Sequence, residues 1–380
     1  MVLLFFISLS ALLYIYFGYP LLLWLWKLLR AKPVMKGDIL PTVSVLISVH
    51  NEERHVEERI RNLLDADYPR DKLEILVGCD GSTDGTRRIV ERFAGENAIR
   101  ACLSSERIGK PAMLNKLARE ATGEIFVFAD ARQRFDTRAI RELVRCFNDP
   151  EVGSVSGELI LEDRGEGTGR GMGLYWSYEV WLRSLESATA SMLGATGAIY
   201  AVRREFFRGL PETVLLDDIY TPLTAIMAGK RAVFEPTARA FDTVSETGGK
   251  EFTRKVRTLA GNFQIFSMFR EAFNPFRSPI AWQLFSHKLL RLTVIYFLAL
   301  LFIANAFLAV HGIWYRATLA LQVIFYALAL AGYLVERSRR ELAGPTRVLY
   351  VPYEFCVLNA AAVAALFRHV SGGIDVRWKK

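Results

Sequence analysis

Leu73-Glu74-Ile75-Leu76-Val77-Gly78-Cys79, followed directly by Asp80-Gly81-Ser82-Thr83-Asp84-Gly85, is the stretch on which the fold turns. Its first seven residues are short and largely apolar, as in a buried strand. The next six are turn and cap residues that open a helix carrying Ile89, Val90 and Phe93. The same unit recurs on either side. Val43 to Val49 (VSVLISV) reads as a β-branched strand, and a helix pattern beginning near Glu52 follows it with Val56, Ile60, Leu63 and Leu64 on one face. Lys110 and Pro111 open a further helix through Leu114 and Leu117, and Glu124 to Ala129 (EIFVFA) forms a buried strand that stops at Asp130. Repeated strand–helix units of this length predict an α/β domain, a mainly parallel sheet flanked by helices on both faces. Ligands of such sheets bind outside the carboxyl ends of the strands, where Asp80 and Asp130 fall.

The ends of the chain follow different rules. Residues 2–26 carry no charge, and a run of about 20 apolar residues spans a bilayer core. No basic stretch precedes this run and no small-residue cleavage site follows it, which favours a membrane anchor over a cleaved signal peptide. Further apolar segments lie at about 292–310, 317–335 and 348–367; the last has Pro352 and Glu354 near its start and reads as either a span or a re-entrant, interfacial segment. The expected division is an N-terminal transmembrane anchor over 1–30, a cytoplasmic domain over 31–270, an interface helix over 271–288, and a C-terminal region of two or three spans with a basic tail over 289–380. Lys27, Arg30, Lys32 and Lys36 follow the first span, and Arg337, Arg339, Arg340 and Arg347 mark a second cationic loop. By the positive-inside rule both face the cytoplasm, giving a multi-pass protein of the plasma (inner) membrane. The tail cations Arg368, Arg377, Lys379 and Lys380 fall outside if 348–367 crosses and inside if it does not.

The net charge of +8 is mostly explained by these flanks and calls for no nucleic acid. Cys79, Cys102, Cys146 and Cys356 have no paired spacing, so neither a zinc site nor a disulfide framework is indicated. No G-x-G-x-x-G follows the first strand and no G-x-x-x-x-G-K-[ST] occurs, which removes the dinucleotide and P-loop phosphate cradles. A phosphate would therefore rest on a cation held by carboxylates, on Lys110, or on the later arginines.

Seven segments stand in a telling order: Ser48-Val49-His50-Asn51-Glu52-Glu53, Cys79-Asp80-Gly81-Ser82-Thr83-Asp84, Ile108-Gly109-Lys110-Pro111-Ala112-Met113-Leu114-Asn115, Asp130-Ala131-Arg132, Gly194-Ala195-Thr196-Gly197-Ala198, Leu216-Asp217-Asp218, and Arg254-Lys255-Val256-Arg257-Thr258. Together, over about 41–270, they resemble the family 2 glycosyltransferases, inverting enzymes with a GT-A fold, and in particular the membrane-embedded branch of cellulose, hyaluronan and chitin-oligosaccharide synthases. The resemblance implies a nucleotide-sugar donor, UDP-linked, with Ser48, His50 and Glu52 lining the uridine pocket and Asp80 on the base; Cys79 replaces the family's first Asp. It implies that Lys110 reaches the donor, that Thr196 and Gly197 lie in the acceptor segment, and that Asp218, in the place of T-E-D, is the catalytic base. Asp130 would hold a divalent cation, Mg2+ or Mn2+, although Arg132 replaces the second carboxylate of D-x-D. Arg254 and Arg257 would face the diphosphate, with Thr258 where processive members place the tryptophan of Q-x-x-R-W. The implied acceptor is a growing polysaccharide or a lipid-linked glycan at the bilayer, with an exporter or a homo-oligomer completing a channel. Single-sugar transfer to a lipid carrier and a catalytically degenerate scaffold are the alternatives.

Each residue also has a plainer reading. Asp80 and Asp84 suit turn and N-cap roles, Asp217 suits the cap of the helix running on through Leu223, and His50 suits a hydrogen bond to nearby backbone. Arg254 and Arg257, one turn apart, suit a solvated face; the aromatic stretch Tyr175-Trp176-Ser177-Tyr178-Glu179 suits core or membrane-surface packing; and 163–171 reads as a loop.

Overall fold

A computed structural model of the chain describes residues 1–95, 99–162, 169–243, 248–338 and 348–371, with backbone alone for 169–175 and 248–251. Residues 163–168 of the expected loop, Arg339, Arg340 and Arg347, and the tail cations Arg377, Lys379 and Lys380 lie outside the described residues.

Three strands foreseen in the sequence form where the apolar runs stand, β1 Val43–Val49, β2 Leu73–Asp80 and β4 Ile125–Ala129, and a strand that the sequence did not mark, β3 Ile99–Ser104, joins them. β1 pairs in parallel with both β2 and β4, and β2 with β3. Later strands are β5 Arg134–Phe135, β6 Val152–Glu162, β7 Ile199–Arg203 and β8 Arg231–Thr243, giving the order β3-β2-β1-β4-β7-β6-β8-β5. β7 runs antiparallel to β4 and β6, and β5 antiparallel to β8, while β6 and β8 are parallel. The sheet is therefore mixed. The parallel expectation holds for β1 to β4, where a crossover helix joins each strand to the next, and fails where β7 enters the sheet from the other end.

Alternation along β1 divides the core. Val45 and Ile47 join Ile60, Leu63, Ile75, Val90 and Leu143 on one face, whereas Leu46 joins Met113, Leu117, Phe126, Phe128 and Leu223 on the other. Burying each such side chain contributes roughly 1.5–3 kcal/mol, so a one-residue slip of β1 would exchange both faces at once. This is what fixes the height at which β2 and β4 end.

Four helices, Val2–Arg30, Val294–His311, Ile313–Arg337 and Tyr350–Val370, are long and apolar enough to cross a membrane. Phe5 packs with Leu301, Ala304 and Leu308, and farther along the same helix Tyr19 and Leu23 pack on Leu182 and Leu185 of the Gly169–Thr189 helix. Tyr350–Val370 is continuous through Pro352, which sits in its first turn. It lies along the Gly248–Met268 helix: Ala361 and Ala365 cover Val256 and Ala260, Glu354 pairs with Lys255 at 2.5 Å, and Ser267 approaches His369 at 3.4 Å. Over 271–288 the chain makes a turn at Arg270–Phe273 and resumes helical geometry only at Ala281, with a π-helical stretch at Leu284–Leu289.

Candidate active site

Four acid and amine groups from three elements meet beyond the end of β4. Lys110 opens the Lys110–Glu120 helix, Asp130 follows β4, and Asp217 and Asp218 open the Asp217–Met227 helix. Lys110 Nζ donates to Asp130 Oδ1 at 3.0 Å and lies 3.2 Å from Asp217 Oδ1. The second oxygen of Asp217 accepts from the Tyr200 hydroxyl at 2.9 Å, and the Tyr200 ring stacks on Phe128 with centroids 4.6 Å apart. The helix is capped at Leu216 without any side-chain bond, so Asp217 is no cap; it is a buried carboxylate held between an ammonium and a phenol. Burial alone would lower the Lys110 amine, but Asp130, then Asp217, then Asp218 outweigh it and raise its affinity for the proton.

Asp218 is placed differently. Burial and the neighbouring Asp217 charge push its carboxyl from 3.8 up to about 7, against the pull of Lys110. A Cβ on Gly197 would come 3.1 Å from Asp218 Oδ2, so the small residue leaves the space that this carboxylate uses. The Asp218 carbonyl accepts from the Ala195 amide at 2.8 Å, and Thr196 N–H donates to Ser156 Oγ at 2.9 Å, which holds the 194–198 segment against the acid pair. Arg183 Nη1 donates to Thr196 Oγ1 at 2.5 Å.

At the end of β2 the plainer readings of two residues are realised. Asp80, 3% exposed, accepts from the amides of Ile108 at 2.7 Å and Gly109 at 2.9 Å, so both carboxylate oxygens position the turn that delivers Lys110. Asp84 accepts from the Thr86 and Glu53 amides at 3.0 and 3.3 Å. Gly81 has φ +57°, and a Cβ there would lie 2.5 Å from the Arg107 amide nitrogen, so the turn needs glycine on both counts. His50 Nδ1 lies 2.7 Å from the Asp80 carbonyl; a carbonyl only accepts, so this nitrogen donates. Ser48 and Glu52 are half-buried beside it, and the Glu52 carboxylate approaches His55 Nδ1 at 3.0 Å.

Arg254 and Arg257 stand on the Gly248–Met268 helix, the first exposed and the second half-buried. That helix touches the acid pair indirectly. Gln264 accepts from the Leu215 amide at 3.0 Å and donates to the Thr213 carbonyl at 2.7 Å, and Gly261 lies against Leu216.

The family model described as "Glycosyl transferase family 2" matches residues 44–210. The chain carries a family 2 glycosyltransferase domain. Over 258 residues, 66% of the chain, it is 24% identical to a poly-beta-1,6-N-acetyl-D-glucosamine synthase of Staphylococcus aureus, and over 257 residues it is 25% identical to the probable glycosyltransferase YdaM of Bacillus subtilis. The matched stretch spans 61% of the length of each of these relatives. Among solved structures, the mannosyltransferase PcManGT from Pyrobaculum calidifontis, in complex with GDP-Man and Mn2+, is 27% identical with a TM-score of 0.71, covering 97% of this chain and 99% of that one. The fold is GT-A.

Within the glycosyltransferase domain, no three His, Cys, Asp or Glu side chains come together as metal ligands among the described residues. Asp130 keeps one oxygen away from Lys110 and its side chain is 40% exposed, while Arg132 points into solvent. That donor set fits a hard cation shared with substrate phosphates, which one carboxylate can hold, rather than a cage closed by protein. Sequence reasoning gave no role to Arg183, Tyr200 or Gln264. Each acts across 13 to 51 residues of chain separation, and nothing in local pattern marks such partners. Trp176 Nε1 donates to the Leu159 carbonyl at 3.0 Å and the Tyr178 hydroxyl to the Tyr16 carbonyl at 3.2 Å, so this part of the aromatic stretch serves packing; the Tyr175 side chain lies outside the described residues.

Proposed function

We propose that the protein is an inverting glycosyltransferase that moves one sugar from a nucleoside-diphosphate donor to a hydroxyl of a membrane-held glycan or lipid acceptor. The observation that carries this reading is Asp218, a carboxyl pushed up to about 7 beside a lysine held by two other carboxylates, Asp130 after β4 and Asp217 at its own helix start. A base working near neutral pH needs such a value. The acceptor oxygen forms its bond to the anomeric carbon as the bond from that carbon to the diphosphate oxygen breaks, and the acceptor proton passes to Asp218. Attack from the face opposite the leaving group inverts the centre, with no sugar attached to the protein on the way.

Lys110 is the cation that meets the leaving diphosphate; Asp130 and Asp217 hold its ammonium in place before the donor arrives. A divalent cation on Asp130, when bound, supplies further neutralisation of the diphosphate. Ser48, His50 and Glu52 line the nucleoside end, and Asp80 contributes through the turn it holds. Thr196 and Gly197 bound the acceptor side, and Arg254 and Arg257 approach the diphosphate from the Gly248–Met268 helix. The sequence resemblance favours uridine, whereas the PcManGT structure holds GDP-Man, so both donor series belong in the assay.

The topology follows the same reading. The catalytic domain faces the cytoplasm of the inner membrane, and Tyr350–Val370 lies at the interface, because its neighbour for most of its length is the domain's own helix. The tail cations then stay inside with the others.

The test uses the full chain in membranes, a panel of UDP- and GDP-sugars, and release of nucleoside diphosphate together with product as readouts. One donor supports transfer, and Asp218→Asn lowers kcat by about 10²–10⁴ while donor binding persists. Undiminished turnover in that variant would sink the assignment. Product length then separates a synthase, which gives a ladder, from single-sugar transfer.

A further inference from the structure

A cavity of about 610 Å³ opens on the Leu46 face of the sheet, between the Lys110–Glu120 helix, the loop after β7 and the Asp217–Met227 helix. Its volume is in the range of sites that take a small organic ligand. Three arginines border it: Arg119 from the first helix, and Arg204 and Arg208 from the loop. No lining side chain is acidic, and none of these arginines makes an ion pair among the described residues. Arg204 donates to the Thr122 carbonyl at 3.2 Å and stands over the Phe126 ring at 5.8 Å, which fixes its guanidinium. A lone exposed arginine is simply solvated, whereas a concave wall that gathers three focuses positive potential into the space between them. The amides of Arg208 and Gly209 are bound to no other group among the described residues, and Gly209, at φ +83°, turns the chain there. They add two donors of the kind that anions use at turns.

The rest of the lining decides which anion. Asn115 donates to the Leu210 carbonyl and accepts from the Leu210 amide, both at 2.7 Å, so both ends of its side chain are committed. Apart from the Tyr220 hydroxyl, no neutral polar side chain is left for the hydroxyls of a sugar phosphate. The cavity offers rings instead, Phe126, Phe207 and Tyr220, with guanidinium groups beside them. Aromatic faces and arginines together suit a flat base carrying phosphates, and they suit any base alike, because every base has a π-face.

Location separates this cavity from the donor site. Phe126, near the start of β4, precedes Asp130 by four residues, roughly 13 Å of extended chain. Yet its walls lead to the catalytic groups: the helix of Asn115 begins at Lys110, and Tyr220 follows Asp218 by two residues. The loop of Arg208 runs on to Thr213 and Leu215, the segment before Asp217 that Gln264 holds.

We infer that Arg119, Arg204 and Arg208 form a second nucleotide site, which takes a nucleoside diphosphate with its phosphates on the guanidinium groups and its base on the rings. The occupant stiffens the loop that leads to Asp217 and so raises turnover; this consequence rests on the glycosyltransferase reading, whereas the binding does not.

The probes are UDP, GDP, ADP and inorganic pyrophosphate. Equivalents bound at saturation by the full-length protein in detergent are measured by equilibrium dialysis. Each nucleotide is expected to fill the cavity, and the nucleotide of the donor series to fill the catalytic site as well, giving two equivalents for it and one for the others. Arg119→Gln combined with Arg208→Gln, both at exposed side chains, should remove one equivalent of every nucleotide, and Arg119→Lys with Arg208→Lys should retain it. Pyrophosphate should bind at least about fivefold more weakly than the nucleotides, as one stacked base warrants. In the transfer assay, a diphosphate outside the donor series should raise kcat at least about twofold in wild type and not in the glutamine variant, with donor KM unchanged. The same number of equivalents in wild type and the glutamine variant overturns the site, and pyrophosphate that binds as tightly as the nucleotides overturns its assignment to a nucleotide. A kcat that does not respond to occupancy overturns the link to Asp217. An equivalent that the glutamine variant loses, in a wild-type protein that turns over no nucleotide sugar, would instead refute the glycosyltransferase reading and leave the cavity site standing.

Discussion

Asp218→Asn should stabilise the folded protein at alkaline pH while removing its activity. The carboxyl is raised from an ordinary 3.8 to about 7, with burial as the largest cause and Asp217 next. Below about pH 4 folded and unfolded chains both hold the proton and the group contributes its full stability. As pH rises the unfolded chain releases the proton first, so stability falls by about 1.4 kcal/mol per unit until the folded carboxyl also ionises near 7. The whole loss is roughly 4 kcal/mol, and water reaching this half-buried group reduces it to about 2 kcal/mol. Most of it falls between pH 5 and pH 8, where asparagine has nothing to titrate. Wild type should therefore lose roughly 1–3 kcal/mol across this range that the variant keeps. In a domain of this size that widens the gap in melting temperature by about 2–4 °C per kcal/mol. The assay is thermal unfolding of both full-length proteins in one detergent at the two pH values. Parallel shifts of the two proteins, or a variant that is the less stable at pH 8, would show that Asp218 is not a raised carboxyl.

Gln264→Leu removes both bonds to the 213–215 backbone and leaves that amide and carbonyl unpaired, costing about 1–3 kcal/mol; kcat should fall with donor KM unchanged, and unaltered kcat would contradict the positioning role. Gly197→Ala puts a methyl 3.1 Å from Asp218 Oδ2, and a displacement of that order should lower kcat by about 10²-fold while nucleotide binding, measured by titration, is retained. Chelation with EDTA should abolish turnover and added Mg2+ or Mn2+ should restore it; turnover that survives complete chelation would mean that the protein's own cations suffice at the diphosphate.

Much of this was legible in the chain because it is local. β1, β2 and β4 are apolar runs closed by turn residues, and their ends place Ser48, Asp80 and Asp130 at one edge whatever the rest of the sheet does. β3 was missed because Ile99–Ser104 is partly polar, with Arg100 paired to Glu74 across the edge. Asp217 shows a different limit. An acidic residue at a helix start reads as a cap, and only the arrival of Lys110 from one crossover and Tyr200 from an antiparallel strand reveals that it binds side chains instead. Asp80 and Asp84 show the converse, since turn residues at a ligand-binding edge spend their carboxylates on backbone amides.

The contact between Gly248–Met268 and Tyr350–Val370 bears on where this protein can be cut. A fragment ended near residue 290 would look, from hydropathy, like a clean soluble half. It would lose Ala361 and Ala365, bare Val256 and Ala260 to water, and strand Lys255 without Glu354, all on the helix whose Gln264 grips the loop before Asp217. The severed surface would be sticky and the acid pair would lose its brace. The terminal helix is therefore a working part of the catalytic half, and a shortened protein should be designed to retain it, grafted by a linker if the intervening apolar pair is to be dispensed with.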